Sequence, residues 1–124
     1  MVIDPELAAI QGEAVDFAVV VLNRDQPDMD ILGREYQTSV LLVASSIAEA
    51  SLRTNVVERC RALETVRGVA ARAVVQAEIG SRSGRFDAAE FETHRERLIT
   101  LSASILKHIR RIRGEYSNRR GKNP

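Results

Sequence analysis

The chain has 124 residues, 44% of them apolar and 28% charged, which suffices for one domain with a real core and not for two. Aromatics are only 4%, Trp is absent and Cys60 is the sole cysteine. An intramolecular disulfide is thereby excluded, and a reducing, cytoplasmic setting is the simplest expectation. No uncharged apolar run reaches the roughly 18 residues of a membrane span, and the first residues lack the basic and apolar regions of a signal peptide.

In chain order, Asp4, Pro5 and Glu6 form a helix start, with an N-cap, a proline at the first helical position and an acid in the first turn. Leu7, Ile10, Ala14, Phe17 and Val21 follow in steps of three and four, which places them on one buried stripe of a helix running to about Asn23. Arg24 to Asp28 reads as a turn, because Pro27 cannot continue the helix and Asp28 can cap the next one. A second helix is predicted from about Met29 to Ser51. Its middle, Ser39 to Ala48, is apolar or small on nearly every face, so burial on more than one side is expected. A strand over Val40 to Val43 is the competing reading, but the flanks carry no turn signals.

After a break at Arg53-Thr54-Asn55, capped by Thr54 or Asn55, a third helix is predicted from Val56 to about Ile79, stopped by Gly80. Its stripe reads Val56, Cys60, Leu63, Ala70, Val74 and Ala77, with Arg67 interrupting. Asp87 and Glu90 then form a capping-box variant. They open a fourth helix with Phe91, His94, Leu98, Leu101, Ile105, His108 and Ile112 on its stripe. That helix is predicted to end near Gly114, so residues 1–114 are read as an antiparallel up-down-up-down, all-α four-helix bundle and residues 115–124 as a frayed basic tail.

Net charge is only +1, yet residues 1–50 carry nine acids and two bases, whereas residues 105–124 carry one acid and seven bases. Of the 18 basic residues 16 are Arg, the side chain suited to bidentate pairing with carboxylate or phosphate. Lys107, Arg110, Arg111, Arg113, Arg119, Arg120 and Lys122 form the candidate nucleic-acid-binding set, expected to touch the phosphate backbone without reading sequence. Two tyrosines are too few for base-stacking readout. Part of that charge also complements the dipole at a helix C-terminus. The acids of the first helix, Glu6, Glu13 and Asp16, are read as a solvated face, or as partners for Arg of the third helix or of a neighbouring subunit.

Glu35-Tyr36-Gln37-Thr38-Ser39 and Val43-Ala44-Ser45-Ser46-Ile47-Ala48-Glu49-Ala50 resemble a Q-L-L-R-S…I-G-A-N-I-x-E-A signature. The signature belongs to small bacterial four-helix-bundle proteins encoded in intervening sequences of large-subunit rRNA genes. Ala77 to Phe91 resembles the second hairpin of the same family, which includes the accessory variability determinant of diversity-generating retroelements. Thr38 and Ser46 replace the Arg and Asn of that signature, and the aromatic pair of its third helix is absent. The resemblance implies a homopentamer, with RNA and a reverse transcriptase as partners.

No constellation points to catalysis. Cys60 falls on an apolar stripe and reads as a small buried hydrophobe. Glu90 and His94, four residues apart, make half a metal site, but the paired Glu-x-x-His motifs of di-metal bundles are missing. No phosphate loop, nucleophile elbow or Cys-x-x-Cys occurs. The expectation is a non-enzymatic, self-associating binding module without cofactor, metal or small-molecule substrate. It would contact structured RNA or DNA, and the alternative is a protein-only scaffold.

Overall fold

The computed structural model describes residues 4–24 and 30–122. Four helices, α1 (Pro5–Leu22), α2 (Ile31–Ser51), α3 (Val56–Arg82) and α4 (Ala88–Lys122), pack as an all-α four-helix bundle. Each helix touches the next in sequence, and α1 closes the ring against α4 by the least extensive of the four seams. Short connections make successive helices antiparallel. Ion pairs mark the register, with Asp4 at the start of α1 bonded to Arg111 late in α4, and Arg24 after α1 bonded to Glu90 early in α4.

The predicted caps form. Asp4 accepts from the amides of Glu6 and Leu7, Asn55 from that of Glu58, and Asp87 from those of Ala89 and Glu90. The cap of α2 is Asp30, whose Oδ1 lies 2.9 Å from the Gly33 amide, so α2 starts two residues later than predicted. Apart from Arg24, the predicted turn at Arg24 to Asp28 lies outside the described residues. Glu90 does not close a capping box, since its carboxylate is turned to Arg24 instead.

The core is aliphatic: Leu7, Val21, Val40, Ile47, Leu63, Leu98, Ile105 and Ile109 are buried. The stripe of α3 differs from expectation, because Val66 and Ala73 face inward in place of Arg67 and Val74. Stepping three residues from Leu63 and from Ala70 keeps the buried face aligned. Arg67 sits at its edge, 3.1 Å from Glu64 Oε2 and 3.3 Å from Ser102 Oγ. In α2, Leu41 and Leu42 are exposed, so the apolar middle is buried on one side only within a single chain.

Two glycines were expected as helix stops and are not. Helix α3 continues through Gly80 to Arg82, and the left-handed residue that ends it is Gly84 at φ 77°. Gly80 is needed for a different reason: a Cβ there would collide with the Phe86 ring, which folds back over the helix. Helix α4 runs through Gly114 to Lys122, so the frayed tail expected at 115–124 is helical as far as described. An interior Gly costs about 1 kcal/mol relative to Ala. The Arg111–Glu115 pair, at 2.9 Å, spans this turn and helps offset that cost.

Candidate nucleic-acid interface

The seven basic residues singled out in the sequence fall into different environments. Arg111 is taken up internally. Its Nη2 lies 2.5 Å from Asp4 Oδ2, its Nε 3.1 Å from Glu6 Oε1 and its Nη1 2.9 Å from Glu115 Oε1. Burial pushes the Asp4 carboxyl up, but bonds from Arg111 and the Leu7 and Glu6 amides outweigh it and hold the group below its usual range. The Glu6 carboxyl is held low first by its bond to His108, with Arg111 adding to it. His108 is fully buried, and its Nδ1 donates to Glu6 Oε1 at 2.7 Å. Because a carboxylate only accepts, this bond fixes the proton on Nδ1. The cluster clasps the start of α1 to α4, so Glu6 finds its partners on α4 and not on α3, whereas Glu13 and Asp16 are exposed, in keeping with a solvated face.

Lys107 lies elsewhere again, lining a groove between α1 and α4 with Glu6, Glu13 and Arg97. The side chain of Lys122 lies outside the described residues.

The remaining four arginines gather at one end of the bundle. Arg110, Arg113 and Arg120 recur at i, i+3 and i+10, one exposed stripe of α4, whereas Arg119 is exposed on a different face, half a turn from Arg110. Beyond Ile112, α4 passes the α2–α3 turn, and Thr54, Asn55, Val56, Tyr116, Arg119 and Arg120 line an open cleft of about 450 Å³. The Arg120 guanidinium lies 5.6 Å from the centre of the Tyr116 ring, and its Nη1 donates to the Tyr116 hydroxyl at 3.3 Å. These contacts orient a cation that would otherwise sweep through solvent. Arg59, at the start of α3, donates from Nε and Nη2 to the Arg53 carbonyl at 3.0 and 2.7 Å, tying the α2–α3 turn to α3. The start of α3 borders the same cleft, its Glu58 amide taken up by the Asn55 cap, and the positive end of its dipole adds to the field.

At the opposite end, His94, which its place on the apolar stripe of α4 marks as a buried, hydrogen-bonded histidine, finds its partner in Tyr36. Tyr36 Oη and His94 Nδ1 are 2.8 Å apart, and both side chains are buried. Glu90 Oε1 stands 3.8 Å from His94 Nε2, which favours a proton on Nε2, so the Tyr36 hydroxyl donates to Nδ1. Phe17 meets the imidazole edge-on at 5.3 Å, and Phe86 tilts against Tyr36 at 5.6 Å. Desolvation, with the Arg24 and Arg97 charges, lowers the His94 pKa to about 4. Desolvation likewise raises the Tyr36 hydroxyl above its ordinary range. The network joins α1, α2 and α4 and stays uncharged near neutrality. His94 and Glu90 have no third ligand: among the described residues no group of three His, Cys, Asp or Glu could hold a metal ion. Cys60 is buried, as the sequence implied. No helix is long and apolar enough to cross a membrane among the described residues.

No protein-family model matches this sequence, and no curated protein does. Among solved structures, the chain is similar to a protein of unknown function from the S23 ribosomal protein family of Bacteroides thetaiotaomicron VPI-5482. The match covers 85% of this chain and 98% of that one, with a TM-score of 0.78 and 14% identity. The two proteins share a fold.

Proposed function

We propose that this protein is a non-enzymatic, self-associating module that holds structured RNA through the arginine-rich end of its bundle. The observation that carries the reading is the continuation of α4 past Gly114. It converts a tail into a helix that carries Arg119 and Arg120 beside the α2–α3 turn and continues the exposed stripe of Arg110 and Arg113. Prearranged guanidiniums suit the phosphates of a duplex or a folded loop, which a helix can follow without reading bases. The S23 ribosomal protein family label of the similar structure supports the same direction. So does the resemblance to proteins encoded in rRNA intervening sequences, whose retroelement members work with a reverse transcriptase.

Self-association is supported by aliphatic side chains left uncovered in one chain. Val15, Val19 and Leu22 form an exposed i, i+4, i+7 stripe on α1, at 45%, 50% and 44% exposure. Such a stripe is suited to burial against another copy, and the family resemblance makes a pentamer the expected form.

The test is binding of a fluorescent RNA hairpin by the whole chain and by a variant with Arg110, Arg113, Arg119 and Arg120 changed to Gln. The proposal expects binding by the first and at least a tenfold loss in the second. Equal affinity of the two would place the contacts elsewhere. No binding by the parent at low salt would favour the protein-only scaffold.

A further inference from the structure

The seam between α1 and α4 opens into a groove of about 420 Å³, at whose base lie Ile10, Phe17 and Leu101. We propose that this groove docks an amphipathic helix of a partner protein, one that sets acidic side chains against Arg97 and Lys107. The surface is distinct from the arginine-rich end, and the proposal stands independently of the RNA reading.

Three features select such a partner. The first is length. Arg97 and Lys107 are ten residues apart on α4, which is about 15 Å, or nearly three helical turns. The second is the nature of the walls. Both are helices whose backbone groups are already bonded along the axis, so an extended peptide would bury amides and carbonyls with nothing to pair them. A helix brings its own hydrogen bonds and needs only side-chain contact. Ala9 on one wall and Ser104 on the other are small enough for a third backbone to approach.

The third feature is charge. Among the described residues, neither Arg97 nor Lys107 on the α4 wall, nor Glu13 on the α1 wall, forms an ion pair. Arg97 is held at the groove's edge over the Phe17 ring, 5.2 Å from its centre. Glu6, the other acid lining the groove, is already engaged by His108 and Arg111. A complementary helix therefore carries an apolar ridge, two carboxylates about three turns apart on one flank, and a cation on the other to meet Glu13. The apolar floor and Glu13 argue against a nucleic-acid backbone as occupant.

The probe is a capped, fluorescein-labelled 18-residue helical peptide with a leucine ridge at i, i+3 and i+7 spacing, Glu on one flank and Lys on the other. A control peptide keeps the leucine ridge but has Lys on both flanks, because a free helix can lie either way along the groove and the control then sets no carboxylate against Arg97 and Lys107 in either direction. Fluorescence anisotropy should show the Glu-flanked peptide binding at least about tenfold more tightly than the control. Arg97→Glu with Lys107→Glu should reverse that order, and Ser104→Trp, filling the groove, should abolish binding of both. Circular dichroism at the same temperature confirms that each variant is folded. Failure of both peptides to bind, equal affinity for the Glu-flanked peptide and the control, or binding untouched by Ser104→Trp would overturn the proposal. Dissociation of a homo-oligomer by Ser104→Trp in analytical ultracentrifugation would also overturn it, assigning the groove to a second copy.

Discussion

Acid should destabilise this bundle through His94 before its carboxylates titrate. The imidazole has an ordinary pKa of 6.5 and one of about 4 in the fold. Below pH 6.5 the unfolded chain takes up a proton that the folded chain refuses, so the contribution is complete above 6.5 and is lost as pH falls toward 4. A gap of 2.5 units at 1.36 kcal/mol each comes to about 3 kcal/mol, a large part of the 5–15 kcal/mol typical of a domain. Urea denaturation at a series of pH values between 7.5 and 4.5 measures the loss. The Tyr36→Phe/His94→Leu double variant removes the titrating ring and its partner together, leaving no orphaned donor. Its stability should be nearly flat over the upper part of that range, where the parent declines. A parent and double variant with the same slope, or an NMR titration placing His94 near 6.5, would refute the reasoning.

Glycine substitutions separate helix propensity from packing. Gly68→Ala, into open space on α3, should stabilise by about 0.5–1 kcal/mol. Gly80→Ala should destabilise by about 1–3 kcal/mol, because the Phe86 ring it would strike is itself packed on Tyr36 and beneath Arg24. Both are read as shifts in the urea midpoint. Arg111→Gln should lower stability by about 1 kcal/mol and leave RNA affinity within twofold, since its guanidinium is committed to Asp4, Glu6 and Glu115. Arg113→Gln should do the reverse, and measuring denaturation and anisotropy on the same two variants checks both.

What the sequence made legible was local. Asp4, Asn55 and Asp87 cap because a short acceptor side chain next to a periodic run is a signal contained within a few residues. The stripes of α1 and α4 emerged for the same reason. The two glycine errors share one cause: Gly ends a helix only where the backbone must turn left-handed, and Gly84 does that while Gly80 and Gly114 do not. Whether Gly80 faces a ring or solvent depends on how the loop folds back, which no short window contains. Pairings such as Tyr36 with His94, or Arg111 with Asp4, join residues 58 and 107 apart and rest on bundle register. A partial signal for the second was present, since Arg111 lies three residues after buried His108 and four before Glu115, at the edge of the buried stripe. That position sets Arg111 apart from Arg110 and Arg113, which point away, although charge pattern alone groups all three.

The salt dependence of RNA-hairpin affinity, measured by anisotropy from 50 to 300 mM KCl, tests the central claim most directly. Four arginine–phosphate contacts predict a slope of log K against log salt of roughly −3 to −4. The variant lacking Arg110, Arg113, Arg119 and Arg120 should lose nearly all of it. A slope near zero in the parent, or the same slope in both proteins, would contradict the arginine-rich end as an RNA-binding surface.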